Sequence, residues 1–282
     1  MTTALNKLPG KAFELTLNIS WPEIKPVYEK VLDLFLSEVE IGGFRKGKAP
    51  KDLALKKIDQ GKVLNEVINE ALPKFYSDAV KEHNLTPITT PRARVVQAEL
   101  DKDWIFKATS CEKPEIDLGN FQDAIRSINA KGKIWKPGDE KTAEKAEDKS
   151  QRVSEIISKL LETAKLELPS ALVEQEANRL LAQLVDDVRQ AGLTMDQYLA
   201  SKNLNPEQLQ SQYKSQAETT LKLEFILEEI AKTQNITISQ EEIDSVINHE
   251  TDLKVKENLK NQAYLLASIL RREKTLTYLS NL

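Results

Sequence analysis

Residues 12–23 read AFELTLNISWPE, a stretch that predicts a β-strand leading directly into an α-helix. Apolar and polar residues alternate from residue 13 to residue 19, and a period of two buries one face of a strand. The apolar members of this alternation are Phe13, Leu15, Leu17 and Ile19. Ser20 and Glu23 follow with the S-x-x-E spacing of a capping box, which satisfies backbone N–H groups at a helix start. The fold is therefore expected to open with a strand and continue as a helix.

The residues downstream predict a domain that mixes helices with a few strands. The first helix is expected to stop at Gly42 and Gly43, and Pro50 to restart a short helix. A second long helix follows, and strands at residues 94–100 and 104–111 close the domain. Because the helices are inserted between the first strand and the last two, the pattern predicts an α+β domain.

A charged stretch, residues 131–150, separates this domain from the rest of the chain. It holds eleven charged residues and one aromatic residue, Trp135, and it shows little apolar periodicity. Such a composition is typical of a linker or of an exposed helical lead-in. The predicted domains are therefore residues 1–130 and 151–282.

Residues 151–282 carry signals for helices. Capping sequences begin at Thr194, Asn205 and Ser239, and a further helix is expected to run from Pro169 to Gly192. Apolar residues recur at helical spacing between these caps, so we predict an all-α domain. Long amphipathic helices can form a compact bundle or a set of arms, and the pattern itself leaves both arrangements open.

The composition argues against several classes of function. A net charge of −4 excludes a uniformly basic nucleic-acid binder, and we expect no DNA partner. The longest apolar run, residues 263–267, is far shorter than a membrane span, and the single cysteine, Cys111, suits the reducing cytoplasm. His83 and His249 lie far apart without further ligands at metal spacing, and no nucleotide-binding motif is present. We therefore expect no metal, no cofactor, no membrane partner and no catalytic residue.

The loop at residues 41–50, IGGFRKGKAP, has an unusual composition. Between Phe44 and Lys57 there are six basic residues and one acid, in a chain that is acidic overall. Glycines on both sides of Phe44 let the backbone turn sharply and place the ring at a tip. Cations can contact RNA phosphates or acidic side chains, and an aromatic ring can enter an apolar crevice. From composition alone, an ordinary turn with Phe44 folded onto the core is an equal alternative.

Residues 43–50, GFRKGKAP, fit the G-F-R-x-G-K-x-P signature of trigger factor, a family of bacterial ribosome-associated chaperones. Residues 63–87 also resemble the N-terminal domain of that family, and residues 151–282 resemble its C-terminal substrate-binding domain less specifically. The resemblance covers nearly the whole chain. It implies an α+β ribosome-binding domain followed by an all-α helical substrate-binding domain with arm-like helices.

By this resemblance, the loop tip docks beside the exit tunnel of the ribosome, against a ribosomal protein and nearby ribosomal RNA. The residues implied in docking are Gly43, Phe44, Arg45, Lys46, Gly47 and Lys48. The helical domain is expected to hold unfolded or nascent polypeptides without ATP. The resemblance thus implies a cytoplasmic chaperone with no cofactor.

One departure from the family pattern concerns the middle of the chain. Typical members carry a peptidyl-prolyl isomerase domain of the FKBP type between the two regions, and residues 131–150 occupy that place here. A compact domain needs at least ~50 residues, so no such domain fits. The resemblance is to a shortened trigger factor without isomerase activity.

Two other functions compete with the chaperone interpretation. A ribosome-associated assembly or regulatory factor would dock through the same loop and bind no unfolded clients. A cytosolic enzyme would use Cys111 with a distant histidine as a nucleophilic pair.

Overall fold

The structure, a computed structural model, describes the following residues: 1–42, 44, 50–132, 146–249 and 253–282. Within them the chain forms two compact units, Met1–Lys113 and Pro114–Leu282. The first unit combines a sheet with helices, and the second is almost entirely helical. The predicted fold class, an α+β domain followed by an all-α domain, is confirmed. Among the described ranges, no helix has both the length and the apolarity that crossing a membrane requires.

Four antiparallel strands form the sheet of the first unit, in the spatial order β1-β2-β4-β3. The strands are β1 (Thr2–Lys7), β2 (Ala12–Ile19), β3 (Arg92–Gln97) and β4 (Trp104–Cys111). The two central strands, β2 and β4, pair along their full lengths, with Leu17 opposite Phe106. Residues directly opposite each other in antiparallel strands share a face of the sheet. The alternation in the sequence therefore directs one set of apolar side chains from both strands to the same side.

Three helices complete the first unit: α1 (Trp21–Glu38), α2 (Lys51–Lys57) and α3 (Gln60–Glu82). α1 packs against α3, and α3 packs against β2. The core between the helices and the sheet consists of the buried side chains of Phe13, Leu15, Leu17, Ile19, Ile24, Val31, Val63, Val67, Ala79, Trp104 and Phe106. All four apolar residues of the predicted first strand are among them.

The start of α1 agrees with the prediction, and its end does not. Glu23 Oε2 accepts hydrogen bonds from the Ser20 N–H at 3.2 Å and from the Ser20 hydroxyl at 2.7 Å. The helix ends at Glu38, before Gly42, because Val39 adopts an extended backbone with φ −67° and ψ 134°. The connection to α2 is therefore longer than the glycines alone indicate.

The described part of the second unit contains eight helices and a short ribbon of two strands. The helices are α4 (Phe121–Gly132), α5 (Ala146–Thr163), α6 (Ser170–Gln190), α7 (Met195–Lys202), α8 (Pro206–Thr233), α9 (Gln240–His249), α10 (Leu253–Asn261) and α11 (Ala263–Asn281). The ribbon pairs β5 (Ile116–Asp117) with β6 (Lys165–Leu166). β6 corrects the expectation that the chain is entirely helical after residue 151.

Separate apolar clusters hold the helices of the second unit together. The cluster that joins α4, α5, α8 and α11 contains Phe121, Ile125, Ile156, Leu160, Ile226, Leu227, Ile230 and Leu279. A second cluster, between α6 and α8, contains Val173, Ala177, Ala217 and Leu221. A third, between α9 and α11, contains Ile243, Ile247 and Leu266. Each cluster uses the amphipathic faces that the sequence predicts.

Side-chain caps start three of these helices at the predicted residues. The hydrogen bonds run from the Gln197 N–H to Thr194 Oγ1 (3.3 Å), from the Gln208 N–H to Asn205 Oδ1 (2.7 Å) and from the Glu242 N–H to Ser239 Oγ (3.3 Å). Each cap of this kind stabilises a helix by about 1 kcal/mol. Local sequence therefore places the starts of α7, α8 and α9.

Helix α4 belongs to the second unit, whereas the sequence analysis placed the division at residue 130. Phe121 and Ile125 are buried in the cluster shared with α5, α8 and α11. Asn129 Nδ2 also donates a hydrogen bond to the backbone carbonyl of Leu279 at 3.0 Å, across 150 residues of sequence. A local sequence pattern cannot reveal contacts between residues this far apart in the chain. The charged stretch therefore predicted a domain boundary later in the sequence than the one that the packing shows.

Candidate functional site

The basic loop singled out in the sequence connects the end of α1 to the start of α2. Contacts brace both sides of this connection. Lys57 Nζ donates a hydrogen bond to the Glu40 carbonyl at 2.5 Å, and Lys51 Nζ lies 3.8 Å from Asp33 Oδ1. Because one contact joins the residues after α1 to α2 and the other joins the two helices, the ends of the loop are held together.

Phe44 projects from this loop with 46% of its surface exposed. Its backbone N–H donates a hydrogen bond to the Ile41 carbonyl at 3.0 Å, which closes a turn across Gly42. Burying a phenylalanine side chain fully contributes about 1.5–3 kcal/mol to the free energy of folding. Phe44 stays about half exposed, so it gains only part of this free energy. Among the described residues, it is not part of the core of the first unit. The fold itself therefore gives no reason for an aromatic residue at this position.

The other five residues of the predicted site lie outside the described residues: Gly43, Arg45, Lys46, Gly47 and Lys48. Their roles remain predictions from the sequence.

Two further exposed apolar side chains flank the loop. Leu34 in α1 is 56% exposed, and Leu53 in α2 is 46% exposed. The exposed cations of α2 are Lys51, Lys56 and Lys57. Apolar side chains therefore face solvent on both helices that the loop connects, and cationic side chains face solvent on α2. Such a surface can contact an apolar crevice and a phosphate backbone together.

The second unit exposes an apolar strip on α11, formed by Tyr264, Leu265 and Ile269. Tyr264 is 91% exposed, and Leu265 and Ile269 are 52% and 47% exposed. Leu266, next along the helix, is buried in the cluster with α9. With 3.6 residues per turn, positions 264, 265 and 269 lie on one side of the helix. In the first two turns of α11 this side faces solvent, while Leu266 packs on another side of the helix.

A cleft of 280 Å³ lies between α8 and α11, beside the apolar strip. It is lined by Glu224, Leu227 and Glu228 from α8 and by Tyr264, Ser268, Arg271 and Arg272 from α11. Leu227 is buried, and the charged residues lie on the two walls, carboxylates from one helix and guanidinium groups from the other. The lining of the cleft therefore mixes apolar and charged groups, which can contact a side chain of a bound peptide.

The apolar strip was not predicted from the sequence, although Tyr264 and Leu265 lie in the longest apolar run of the chain. Residues 263–267 read AYLLA, five consecutive apolar residues. Successive residues of a helix point about 100° apart, so five in a row cannot all face the same neighbour. Five consecutive apolar residues cover more of the helix circumference than one buried face does. This was the signal in the sequence that some of them would be exposed.

Cys111 is a buried residue of β4, and among the described residues the hydrogen-bond partner of its thiol is Thr89, not a histidine. Its Sγ lies 3.6 Å from Thr89 Oγ1, and His83 Nε2 lies 2.9 Å from Thr3 Oγ1. Burial raises the pKa of the Cys111 thiol, and the hydrogen bond with Thr89 offsets part of this effect. In the described part of the chain, no group of three or more metal-binding side chains comes together.

The thiol of Cys111 is expected to react with a disulfide reagent at least about a hundredfold more slowly in the folded protein than in urea, because opening of the core must precede reaction. The raised pKa acts in the same direction, since the thiolate is the reactive form and less of it exists at neutral pH. The release of chromophore from Ellman's reagent measures both rates, with Cys111→Ala as the blank. Rapid reaction of one thiol in the folded chain would revive the enzyme interpretation.

Two family descriptions match this chain. Residues 1–149 match the family described as "Bacterial trigger factor protein (TF)", and residues 138–281 match "Bacterial trigger factor protein (TF) C-terminus". Each match covers just over half of the chain, and together they extend from residue 1 to residue 281.

Individual relatives match to different extents. The trigger factor of Carboxydothermus hydrogenoformans is 22% identical over 420 positions, covering 99% of this chain and 98% of that protein. That of Corynebacterium jeikeium is 33% identical over 121 residues, which are 43% of this chain and 23% of the relative. That of Streptococcus sanguinis is 28% identical over 145 residues, 51% of this chain and 33% of the relative. The last two alignments thus span a third or less of the relatives' length.

A solved structure described as "Promiscuous Substrate Recognition in Folding and Assembly Activities of the Trigger Factor Chaperone" has a similar fold. The TM-score is 0.60 at 12% identity, with 100% of this chain and 99% of that chain covered. The likeness extends over both compact units.

Proposed function

This chain belongs to the trigger factor family, and we propose that it is an ATP-independent chaperone that docks at the ribosomal exit tunnel and holds nascent polypeptides. The observation that carries the proposal is the exposed Phe44 in a loop whose ends are braced and whose neighbours are cationic. Its site of action is the cytoplasm, where ribosomes emit nascent chains. The residues proposed for docking are Gly43, Phe44, Arg45, Lys46, Gly47 and Lys48.

Docking combines two kinds of contact at the loop. The ring of Phe44 enters an apolar crevice of an exit-tunnel protein, where its exposed surface leaves water. The lysines of the loop and of α2 contact phosphates of nearby ribosomal RNA, which adds a salt-dependent attraction. The first unit supplies the ribosome-binding function, and its compact body ends at Lys113.

Client holding resides in the helical unit. Its α11 strip presents apolar surface that a chain without partners would bury, and the neighbouring cleft adds charged walls beside that strip. Apolar contacts of this size bind unfolded segments weakly, so release needs no nucleotide. The structure offers no Met-rich surface, since the chain has two methionines.

An assay of client aggregation tests the holding function in the full chain. A chemically denatured enzyme diluted into buffer aggregates, and the parent chain is expected to suppress the light scattering. The variant Tyr264→Ser, Leu265→Ser, Ile269→Ser should require about tenfold more protein for the same suppression, because three exposed apolar contacts are lost.

The matched control removes exposed apolar residues from the first unit, Leu8→Ser with Ile88→Ser, and should hold clients as the parent does. All variants should pellet with ribosomes. If the parent pellets with ribosomes but never suppresses aggregation, the alternative of an assembly or regulatory factor is correct instead.

We further propose that the chain lacks prolyl isomerase activity. The two family matches overlap at residues 138–149, so no residues remain between them for another domain. The alignment with the Carboxydothermus relative extends over 420 positions, whereas this chain has 282 residues, so the relative carries residues where this chain has none. The length of the chain fits a shortened form of the family.

A proline-containing test peptide is expected to isomerise at its uncatalysed rate, over tens to hundreds of seconds, in the presence of micromolar protein. The stretch at residues 131–150 has one aromatic residue and eleven charged residues, which cannot build an enclosed pocket that desolvates an imide bond. A protease-coupled assay measures the rate, with an active FKBP-type isomerase as the positive control. Acceleration that an FKBP-type inhibitor abolishes would mean that a catalytic site exists in this chain.

A further inference from the structure

The exposed lysines of α2 differ in what their ammonium groups contact. Lys51 Nζ lies 3.8 Å from Asp33 Oδ1, so this contact joins α2 to α1, helix to helix. Lys57 Nζ instead donates a hydrogen bond to the main-chain carbonyl of Glu40 at 2.5 Å. Glu40 follows the end of α1 at Glu38 and belongs to the connection itself. Lys57 therefore ties the connection that carries Phe44 to the far end of α2.

The main chain of Lys57 is fixed by the packing around it. Lys57 is the last residue of α2. Ala54, one turn earlier, is 2% exposed, and Ile58, directly after the helix, packs against the core of the first unit. The Ile58 N–H also donates a hydrogen bond to the Ala54 carbonyl at 3.1 Å. The side chain of Lys57 therefore extends from an anchored point, at a helix end where a cation interacts favourably with the last carbonyls.

The carbonyl that Lys57 holds lies next to the turn that presents Phe44. Ile41 follows Glu40 in the chain, and its own carbonyl accepts a hydrogen bond from the Phe44 N–H at 3.0 Å. Two consecutive carbonyls thus link Lys57 to Phe44, each through one hydrogen bond. A displacement of Glu40 would move the turn and the ring with it.

Holding the turn before docking lowers the cost of docking. The connection runs from the end of α1 at Glu38 to the start of α2 at Lys51, a length that allows many backbone conformations. A segment that is ordered in the free chain does not have to lose this freedom when it binds. The contact between Lys51 and Asp33 is a poor substitute for the brace, since exposed ion pairs contribute little. A hydrogen bond donated by an ammonium group is stronger than one between neutral groups.

We propose that Lys57 is a positioning residue for docking: by holding the Glu40 carbonyl, it fixes the turn that presents Phe44. This inference rests on the proposed docking function and adds a role that the charge of Lys57 does not supply. The attraction between a lysine and phosphates weakens as salt rises. The positioning effect arises from a hydrogen bond within the free chain, so it persists at higher salt and in the absence of ribosomes.

Hydrogen exchange of the Phe44 amide in the free full-length chain, followed by NMR, tests the positioning step. Lys57→Met keeps most of the aliphatic stem and removes the donor, so the Phe44 amide should exchange about fivefold faster than in the parent. Lys57→Arg keeps a charged donor and should restore most of the protection. Lys56→Met removes the neighbouring exposed cation and should leave the exchange rate unchanged. Equal exchange rates in the parent and in Lys57→Met would overturn the proposal.

Pelleting with ribosomes then shows whether the positioned turn matters for docking. Lys57→Met and Lys56→Met remove the same charge from adjacent positions, so comparing them cancels the loss of charge. Lys57→Met should bind about fivefold more weakly than Lys56→Met, and the ratio should be the same at about 50 mM and about 200 mM salt. Because both lysines are exposed, the melting of the first unit should stay as in the parent.

The outcomes distinguish this proposal from the docking function on which it rests. If the parent pellets and the two methionine variants bind equally, Lys57 acts through its charge alone and the positioning role is wrong. A difference between the variants that vanishes at the higher salt concentration would overturn it as well. If the parent itself does not pellet with ribosomes, the docking function is wrong, and the positioning role is wrong with it.

Discussion

Replacing Phe44, Arg45 and Lys46 together by Ala is expected to abolish co-sedimentation of the chain with ribosomes, a loss of at least about tenfold in affinity. The change removes the exposed ring at the loop tip and two cations next to it. Because Phe44 is exposed and lies outside the core, the thermal unfolding of the first unit should stay as in the parent. Pelleting of ribosomes through a sucrose cushion, followed by quantification of the bound chain, measures the effect.

The control for this variant removes the same kinds of side chain elsewhere in the first unit. Ile88→Ala with Lys62→Ala and Lys74→Ala deletes one exposed apolar side chain and two exposed cations. It should pellet as the parent does, and binding of the parent should weaken as salt rises. Undiminished pelleting of the loop variant would remove the basis for the docking site.

Trp104→Ala is expected to lower the free energy of unfolding of the first unit by about 3–5 kcal/mol. The side chain is fully buried, and its ring lies 5.9 Å from Phe106 in an edge-to-face contact and 6.4 Å from Trp21. Its indole Nε1 donates a hydrogen bond to the Glu99 carbonyl at 2.9 Å, so removal leaves both a cavity and a carbonyl without its partner. Ribosome binding should fall with the folded fraction.

Urea unfolding followed by circular dichroism measures this change, because the substitution also removes a fluorophore. Val96→Ala, at an exposed position of β3, should shift the free energy of unfolding by no more than about 0.5 kcal/mol. A change below about 1 kcal/mol for Trp104→Ala would mean that the β2–β4 core does not hold this unit together.

Local patterns in the sequence predicted those elements whose cause is local. Strand β2 follows from strict alternation, and α7, α8 and α9 begin at caps that the structure reproduces. β1 was not predicted, since TTALNK is short and largely polar. It forms because its backbone pairs with β2 along the whole strand, from Thr2 opposite Asn18 to Lys7 opposite Phe13. Pairing of this kind depends on tertiary structure more than on side-chain pattern.

The candidate sites also differ in whether their exposure has a local cause in the sequence or depends on tertiary structure. The exposed position of Phe44 follows from glycines and clustered charge, which are visible in the chain itself. The exposed strip of α11 depends on which neighbouring elements stop short of it. The sequence pattern predicts Val95 as a core residue of a strand, whereas it lies at the edge of the sheet and is 46% exposed.

The hydrogen bond between Asn129 and the carbonyl of Leu279 has a consequence for the order in which the chain folds during its synthesis. Every element of the first unit precedes residue 114, so this unit can fold while the remainder is still being translated. Helix α4 comes next off the ribosome, and α5 then supplies Ile156 and Leu160 to its cluster, but the cluster is complete only when α11 has been made. Through most of translation of the second unit, this cluster therefore lacks Leu279, and Asn129 lacks its hydrogen-bond acceptor. The protein therefore passes through a stage in which it needs the same shelter that it is proposed to give to other nascent chains.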